Sequence, residues 1–165
     1  MQHKTFERSE CPIAQGLERV GEWWSMLIMR DALQGYTRFD EFSRSLGIPP
    51  NTLTRRLGAL VEAGLLERRA YCEKPLRYEY VPTEKGRDLK IVLAALVAWG
   101  NKHFAPEGPS IQVIARSTGE VLEPQMVSEA TRQSVDLDAC EFVAGPAASE
   151  GMRMRLKSLA ERTES

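Results

Sequence analysis

The pattern of apolar and polar positions is most regular between Ile48 and Leu66, where it predicts a helix with two distinct faces. Pro50 suits the first turn of a helix, because its missing N–H would have no partner at that position. Gly64 suits the left-handed end, after which Leu65 can fold back on the last turn. The apolar stripe comprises Leu53, Leu57, Leu60 and Val61, and the polar side carries Asn51, Thr52, Arg55 and Glu62 with Thr54 and Arg56 on its flanks.

The polar side of this predicted helix has a composition that permits contact with a nucleic acid. Asn, Thr and Arg are concentrated at its N-terminal end, and these side chains read base edges and phosphates. The alternative is an ordinary amphipathic helix whose polar face is only solvated. This stretch alone is compatible with both interpretations, so the neighbouring elements are needed to choose between them.

A shorter helix is predicted just before this one. Phe39, Phe42 and Leu46 share a helical face, and Gly47 ends the segment. The turn Gly47-Ile48-Pro49 then joins the two helices. Two helices joined by a short turn that contains glycine, the second with a polar outer face, form the helix-turn-helix pattern.

The chain before this pair predicts two more helices. Pro12 suits a first helical turn, and Ile13, Leu17 and Val20 continue at helical spacing up to Gly21. The segment Glu22–Gln34 is apolar nearly all round, which is typical of a central core helix. Its Trp pair fits core packing better than a ligand pocket.

After Gly64 the periodicity changes from that of a helix to that of a strand. Two runs, Leu66–Cys72 and Leu76–Val81, flank the loop Glu73-Lys74-Pro75 and predict a β-hairpin. Its position after the second helix suits a wing that lies along a DNA backbone. The alternative is a solvated hairpin whose charges only discourage edge pairing. The basic residues on or near the hairpin are Arg68, Arg69, Lys74 and Arg77.

A long helix is predicted to start at Thr83, which serves as its N-cap. The C-terminal half of this helix has nothing obvious to pack on within one subunit. A partner helix in a second copy is the simplest way to bury its apolar side chains. The apolar stripe of this helix comprises Leu89, Val92, Leu93, Leu96, Trp99 and Phe104.

Composition narrows the class of protein. A hydrophobic fraction of 42% and a charged fraction of 27% are those of a globular protein. The absence of a signal-like N-terminus and of a disulfide framework predicts a cytoplasmic location without membrane association. Residues 1–104 carry 16 Lys/Arg against 13 Asp/Glu, and residues 105–165 carry 6 against 10. The excess of positive charge in the first part permits nucleic-acid binding.

Enzyme chemistry has no residues to support it. The sequence has no P-loop, dinucleotide-binding or nucleophile-elbow motif. His3 and His103 have no cysteine or carboxylate neighbours at the spacing of metal ligands. We therefore expect no catalytic residues, no metal site and no cofactor.

Specific residues add to the order of elements. They are Cys11-Pro12, Trp24, Leu27, Ile28, Arg38-Phe39-Asp40-Glu41-Phe42, Gly47-Ile48, Leu53-Thr54-Arg55-Arg56-Leu57, Leu60, Gly64-Leu65, Tyr80 and Thr83-Glu84-Lys85-Gly86. With these residues the chain resembles the HxlR family of bacterial winged-helix transcription regulators over about residues 8–104. The resemblance implies a homodimer joined through terminal helices, which binds an operator with near-dyad symmetry. Two departures stand out: Pro49 replaces a usual capping residue, and Pro82 replaces a usual Leu, which predicts a shortened second wing strand.

The predicted fold is mainly α with a small β-wing, followed by a small β-rich C-terminal appendage. We assign residues 1–106 to DNA binding and dimerisation, 107–148 to the appendage and 149–165 to a polar helical or disordered tail. Thr118 and Thr131 lie in loosely similar contexts, which leaves a degenerate repeat open. The extended candidates are Ile111–Arg116, Val121-Leu122, Met126–Thr131 and Cys140–Ala144.

These elements predict a sequence-specific regulator that binds double-stranded DNA as a homodimer; the alternative is a winged-helix protein-interaction module without a DNA target. Base edges are assigned to Asn51, Thr52 and Arg55, and phosphates to Arg56, Arg69, Lys74 and Arg77. Thr37, Arg38 and Thr54 complete the predicted DNA-binding set. The predicted dimer interface comprises Ile13, Leu17, Leu89, Leu93, Leu96 and Trp99.

Cys11 is the candidate for a redox sensor. Some members of the family that the chain resembles use a cysteine here to sense oxidants or electrophiles. A thiol at a helix N-terminus also sits at the positive end of the helix dipole, which favours the thiolate. The alternative is a small, inert, buried side chain. Whether a small molecule or an oxidant acts as an effector is therefore left open, and the sequence does not identify one.

Overall fold

A computed structural model describes Phe6 and residues 9–163 of the chain. His3 and the ends of the assigned segments 1–106 and 149–165 lie outside the described residues. The helices are α1 (Pro12–Val20), α2 (Trp23–Gln34), α3 (Phe39–Leu46), α4 (Pro50–Glu62), α5 (Glu84–Asp88), α6 (Lys90–Phe104) and α7 (Glu150–Thr163). The strands are β1 (Leu66–Glu73), β2 (Leu76–Pro82), β3 (Val113–Ile114), β4 (Val121–Leu122), β5 (Met126–Val127) and β6 (Ser134–Val135), with a 3-10 turn at Leu137–Ala139. The predicted fold class is confirmed.

The described residues form two compact units. The larger unit is Gly16–Pro124, and the smaller unit comprises the described residues before Gly16 and after Pro124. None of the described helices combines the length and the hydropathy that a membrane crossing needs.

The core of the larger unit is built around α2, as the pattern of that helix predicts. Burying a Leu, Ile, Phe or Met side chain contributes about 1.5–3 kcal/mol. The apolar stripe of α4 and the buried face of α2 therefore supply much of the stability of this unit. Trp24 packs against this core, but Trp23 stacks on Trp24 at 4.1 Å and stays exposed, so only one Trp of the pair is a core residue. The buried apolar residues are Ile28, Met29, Ala32, Phe42, Ile48, Leu53, Leu57, Leu60, Leu65 and Leu66.

The α3–α4 turn is fixed by the residues that the sequence places there. Gly47 adopts a φ of 61° at the end of α3, a conformation that favours glycine. Ile48 is buried and anchors the turn in the core. Helix α4 then begins at Pro50, without a side-chain cap from Pro49. These contacts set the direction in which α4 leaves the core.

Strands β1 and β2 form an antiparallel hairpin, and its register corrects one expectation. Leu66 pairs with Pro82, so β2 runs through the proline and is not shortened by it. A proline fits there because N–H groups two residues apart point to the same side of a strand. The Tyr80 N–H donates away from β1, so an N–H at position 82 would not have joined the β1–β2 ladder. The segment before α3 adds a third, very short strand, since the Tyr80 N–H donates to the Thr37 carbonyl at 2.7 Å and Arg38 bridges Glu79.

The predicted long helix is divided at Leu89 into α5 and α6, which corrects the single helix expected from the pattern. Thr83 caps α5 as predicted, because its hydroxyl accepts from the Gly86 N–H at 3.1 Å and donates to the Gly64 carbonyl at 2.6 Å. A side chain at Gly86 would meet the Leu65 carbonyl, so α5 lies directly against that backbone. The start of the helix is thereby tied to the core, and the helix is interrupted at Leu89 between α5 and α6.

The two small hairpins repeat one local structure thirteen positions apart. Val113 pairs with Leu122, and Met126 pairs with Val135. Within the first hairpin the Ala115 N–H donates to Glu120 O at 2.9 Å, and the equivalent bond of the second runs from Ser128 to Gln133 at 2.9 Å. The degenerate repeat that the sequence left open is thus present in the structure. The Cys140–Ala144 run, predicted to be extended, forms no strand, and its aromatic Phe142 is exposed.

Helix α7 begins in the smaller unit with a carboxylate at its N-terminus. The Ser149 N–H and hydroxyl both donate to the Glu10 carboxylate, and the Ser149 hydroxyl accepts from the Met152 N–H at 3.2 Å. These bonds hold the pKa of Glu10 below its ordinary value, the hydroxyl of Ser149 having the largest effect. The tail predicted as polar helical or disordered is helical over its described part.

Candidate nucleic-acid interface

Helix α4 leaves its polar face free and buries the leucines of its apolar face, while Val61 at the end of that face is partly buried. Leu53, Leu57 and Leu60 have no exposed surface. On the other side Asn51 and Arg55 are exposed and Thr52 is half-buried. Thr54 is exposed too, and its hydroxyl donates to the Pro50 carbonyl at 3.0 Å, which holds the side chain against its own helix. A helix held by one face and open on the other can enter a groove of a duplex.

Arg56 is placed differently from its neighbours on α4. Its guanidinium lies 2.7 Å from the carboxylate of Glu22, and its side chain is 16% exposed. The sequence assigned Arg56 to phosphates because it lies on the flank of the polar face. The structure instead brings it to Glu22 at the start of α2.

The hairpin of β1 and β2 carries exposed basic residues near its tip. Lys74 and Arg77 are exposed and have no ion-pair partner among the described residues. Arg69 is also exposed, but its guanidinium pairs with Glu67 at 2.7 Å. The hydrogen bond from Arg69 holds the pKa of Glu67 below its ordinary value and raises the pKa of Arg69. Lys74 and Arg77 are therefore the more available cations of the hairpin.

Thr37 and Arg38 lie at the start of α3, beside the hairpin. Their backbone N–H groups donate to the Glu41 carboxylate at 2.9 and 2.8 Å. These two bonds, that from Thr37 first, hold the pKa of Glu41 below its ordinary value. The Arg38 guanidinium lies over the Tyr71 ring, 4.7 Å from its centre, so strand β1 orients this exposed cation.

Two contacts of this surface were missed by reasoning from the sequence. Arg68 lies over the Tyr78 ring at 4.4 Å, and Arg38 lies over Tyr71. A hairpin register could have indicated the first pair, because Ala70 faces Tyr78 and Arg68 is two residues away on the same face. The second depends on a single-residue bridge between distant segments, for which the sequence carries no signal.

The residues predicted for the dimer interface divide into two groups. Leu89 packs against the core of its own chain and Leu93 is half-buried. By contrast Leu96 is 46% exposed and Trp99 is 55% exposed. On α1, Ile13 and Leu17 are exposed, at 63% and 58%. The exposed group is therefore Ile13, Leu17, Leu96 and Trp99, together with Ile91, Val92 and Phe104 of α6.

Cys11 lies immediately before α1 and is half-buried. Its N–H donates to the Ser9 hydroxyl at 3.2 Å, and its carbonyl accepts from the Gln15 N–H at 3.0 Å. The thiol is free, as are those of Cys72 and Cys140. The predicted position at a helix N-terminus is thus the observed one.

A half-open groove of about 430 Å³ lies between α6 and the β3–β4 hairpin. Its lining includes the apolar residues Trp99, Val113 and Leu122 and the charged residues Lys102 and Glu123. Among the described residues, no group of three His, Cys, Asp or Glu side chains is placed to hold a metal ion.

A helix-turn-helix whose second helix is open on its polar side, followed by a hairpin with basic residues, defines the class of winged helix-turn-helix proteins. The family model of the HxlR-like helix-turn-helix matches residues 19–108. The chain belongs to this family.

Similar proteins support the same assignment. An uncharacterised HTH-type transcriptional regulator of Mycobacterium tuberculosis is 43% identical over 116 residues, which cover 70% of this chain and 73% of that protein. A solved structure of a candidate transcription factor from Pseudomonas aeruginosa is 63% identical, covers 88% of this chain and 100% of that one, and has a TM-score of 0.67. The redox regulator HypR in its oxidised form is 31% identical, with coverages of 56% and 97% and a TM-score of 0.52. The chain is a DNA-binding transcription regulator and not an enzyme, as the sequence predicts.

Proposed function

We propose that the chain regulates transcription as a homodimer that binds a near-palindromic operator in the cytoplasm. Helix α4 enters the major groove of each half-site, and the β1–β2 hairpin lies along the sugar-phosphate backbone. The observation that carries the proposal is the division of α4 into an apolar face with three fully buried leucines and a free face with Asn51 and Arg55. A face of this composition matches the donors and acceptors of base edges.

The proposed contacts follow from exposure. Arg55, Asn51 and Thr52 meet base edges at the N-terminal end of α4, with Thr54 beside them. Lys74 and Arg77 meet phosphates from the hairpin, and Arg69 joins them once it leaves Glu67. Arg38 and Thr37, next to the hairpin, contact the backbone of the duplex. Phosphate contacts position the protein, whereas base contacts provide sequence preference.

The proposed dimer uses the exposed apolar side chains of α1 and α6. Leu96 and Trp99 lie on α6, and Ile13 and Leu17 lie on α1. Apolar side chains in this number on two helices are typical of a protein interface. A two-fold dimer places two copies of α4 in half-sites about one helical turn apart, ~10 bp or a multiple of it.

The proposal is tested by selecting duplexes from a random-sequence library with the native chain and measuring their affinity at two salt concentrations. We expect enrichment of a motif with near-dyad symmetry and an affinity that falls steeply as salt rises. A chain that enriches no motif, or that binds equally at both salt concentrations, would instead support the winged-helix module that contacts only proteins.

We also propose Cys11 as an oxidant sensor. Its free thiol at the start of α1 and the similarity of the chain to the redox regulator HypR support the proposal. Operator affinity of the native chain and of Cys11→Ser is compared with and without diamide. Release of the native chain alone is expected, whereas equal affinity throughout makes Cys11 a structural residue.

A further inference from the structure

The side chain of Arg56 is engaged within the larger unit before any DNA binds. Its guanidinium and the Glu22 carboxylate are 2.7 Å apart, with the arginine side chain 16% and the glutamate side chain 45% exposed. The Arg56 Nε is buried and has no hydrogen-bond partner among the described residues. To reach a phosphate, Arg56 would have to leave Glu22 and move a side chain that is now largely buried against the larger unit.

We propose that Arg56 is a positioning residue: its ion pair with Glu22 fixes α4 against the start of α2 and thereby sets DNA affinity, without contact between Arg56 and DNA. The inference rests on the proposed function, since it names what orients the recognition helix. It also separates two adjacent arginines of α4, because Arg55 is exposed on the free face whereas Arg56 faces Glu22.

Glu22 is a firm anchor because its backbone is held on both sides. Before it, the Gly21 N–H donates to the Leu17 carbonyl at 2.7 Å, which closes the turn between α1 and α2. This turn is tight, since a Cβ on Gly21 would lie 2.4 Å from the Leu17 oxygen. After it, the Glu22 carbonyl accepts from the Ser25 N–H at 2.8 Å, and Ser25 is buried. The backbone that carries the Glu22 carboxylate is therefore fixed at the N-terminus of α2.

The substitution Glu22→Gln separates the two roles of Arg56 by the sign of its effect. If Arg56 bound a phosphate, Glu22→Gln would free the guanidinium, remove a negative charge and raise DNA affinity. If Arg56 positions α4, the same substitution weakens the anchor and lowers DNA affinity. Glu62→Gln is the matched control, because Glu62 is an exposed carboxylate of α4 without an ion-pair partner among the described residues.

The experiment measures the affinity of native chain, Glu22→Gln, Arg56→Met and the double variant for the duplex enriched by the native chain, at several salt concentrations. We expect each single variant to bind about tenfold more weakly and the double variant no more weakly than the poorer single one, as for two residues that act as a pair. The slope of log affinity against log salt stays that of the native chain, whereas loss of one phosphate contact would reduce it by about 0.9. Higher affinity of Glu22→Gln, or a reduced slope in Arg56→Met, overturns the proposal.

A second readout needs no DNA and therefore separates this proposal from the proposed function. Amide hydrogen exchange in α4 is measured on the free native chain, on Glu22→Gln and on Glu62→Gln. We expect several-fold faster exchange in α4 for Glu22→Gln only, because the local opening of that helix becomes easier. Unchanged exchange of α4 in Glu22→Gln overturns the positioning role, even if Arg56→Met fails to fold. A native chain that binds no duplex contradicts only the proposed DNA-binding function.

Discussion

Helices α4 and α6 belong to the same unit and both carry an apolar stripe, but the chain buries the stripe of α4 and leaves that of α6 largely exposed. Helix α4 buries Leu53, Leu57 and Leu60 completely and leaves a polar face free. Helix α6 is the more apolar of the two, yet none of its residues is fully buried, and Leu96 and Trp99 are half-exposed. A single chain therefore completes the packing of one helix and leaves that of the other open.

The difference indicates what each free face can bind. A polar face keeps its hydrogen bonds with water until a duplex replaces them, so α4 is stable when unliganded. An exposed apolar face loses about 25 cal/mol of available stabilisation for every Å² left in water, so α6 gains from a second protein surface. We therefore interpret α4 as the DNA-contacting helix and α6 as the helix that a second copy covers.

The largest expected effect is on the free energy of unfolding, when a buried leucine of α4 is replaced. Leu57→Ala leaves a cavity beneath α4 and should lower the free energy of unfolding by about 2–5 kcal/mol. Urea denaturation followed by Trp fluorescence measures the change. Val92→Ala, at an exposed position of α6, is the control when measured on dilute chain. Equal losses at the two positions would show that α6 is buried after all.

The next effect concerns the exposed side. Leu96→Asp places a carboxylate on the proposed interface, where burial without a partner is strongly unfavourable, and should raise the dimer dissociation constant by at least ~100-fold. Sedimentation velocity over a range of concentrations measures it. Lys90→Asp, which introduces the same carboxylate at the exposed first residue of α6, should leave the dimer intact. If the Leu96→Asp chain remains dimeric, the subunits meet through another surface.

A smaller effect distinguishes the two kinds of DNA contact. Arg55→Ala should lose about 1–3 kcal/mol of binding free energy for the selected duplex and relax the preference at one base position. Lys74→Ala should weaken all sequences alike and reduce the salt slope by about 1. Competition assays with selected and scrambled duplexes compare them. Sequence-independent losses from both variants would contradict the role of Arg55.

The smallest effect is at the cap of α3. Glu41→Gln removes the negative charge of the side chain that accepts from the Thr37 and Arg38 N–H groups, and should lower the free energy of unfolding by about 0.3–1 kcal/mol at neutral pH. Because the pKa of Glu41 is lower in the folded chain than its ordinary value of 4.5, this stabilisation is present above that pH and is lost as the pH falls through the folded-state pKa. Unfolding curves between pH 7 and 3 should therefore converge for the two chains, and curves that stay parallel would exclude this cause.

Local patterns predicted most of the elements, because helical and strand periodicities are set by nearby residues. The stripe of α4, the cap at Thr83 and the hairpin after Gly64 are of this kind. The division at Leu89 was missed, since the apolar stripe continues through Leu89 and gives no sign of an interruption there.

The ion pair of Arg56 was missed for a different reason. Its ion pair joins residues 22 and 56, and a helical wheel shows only that Arg56 lies beside the polar face. The proposed contacts of Arg55 and Lys74 depend on no such tertiary pairing, so exposure and residue type were sufficient to predict them.

The most direct test of the central claim is the number of chains on one selected duplex. Sedimentation equilibrium of the complex at saturation measures its mass, with the Leu96→Asp chain as the comparison. We predict two native chains per duplex, and for Leu96→Asp a much weaker complex that begins with one chain. One native chain per duplex at saturation, or a Leu96→Asp chain that binds as a pair with native affinity, would contradict the division of labour between α4 and α6.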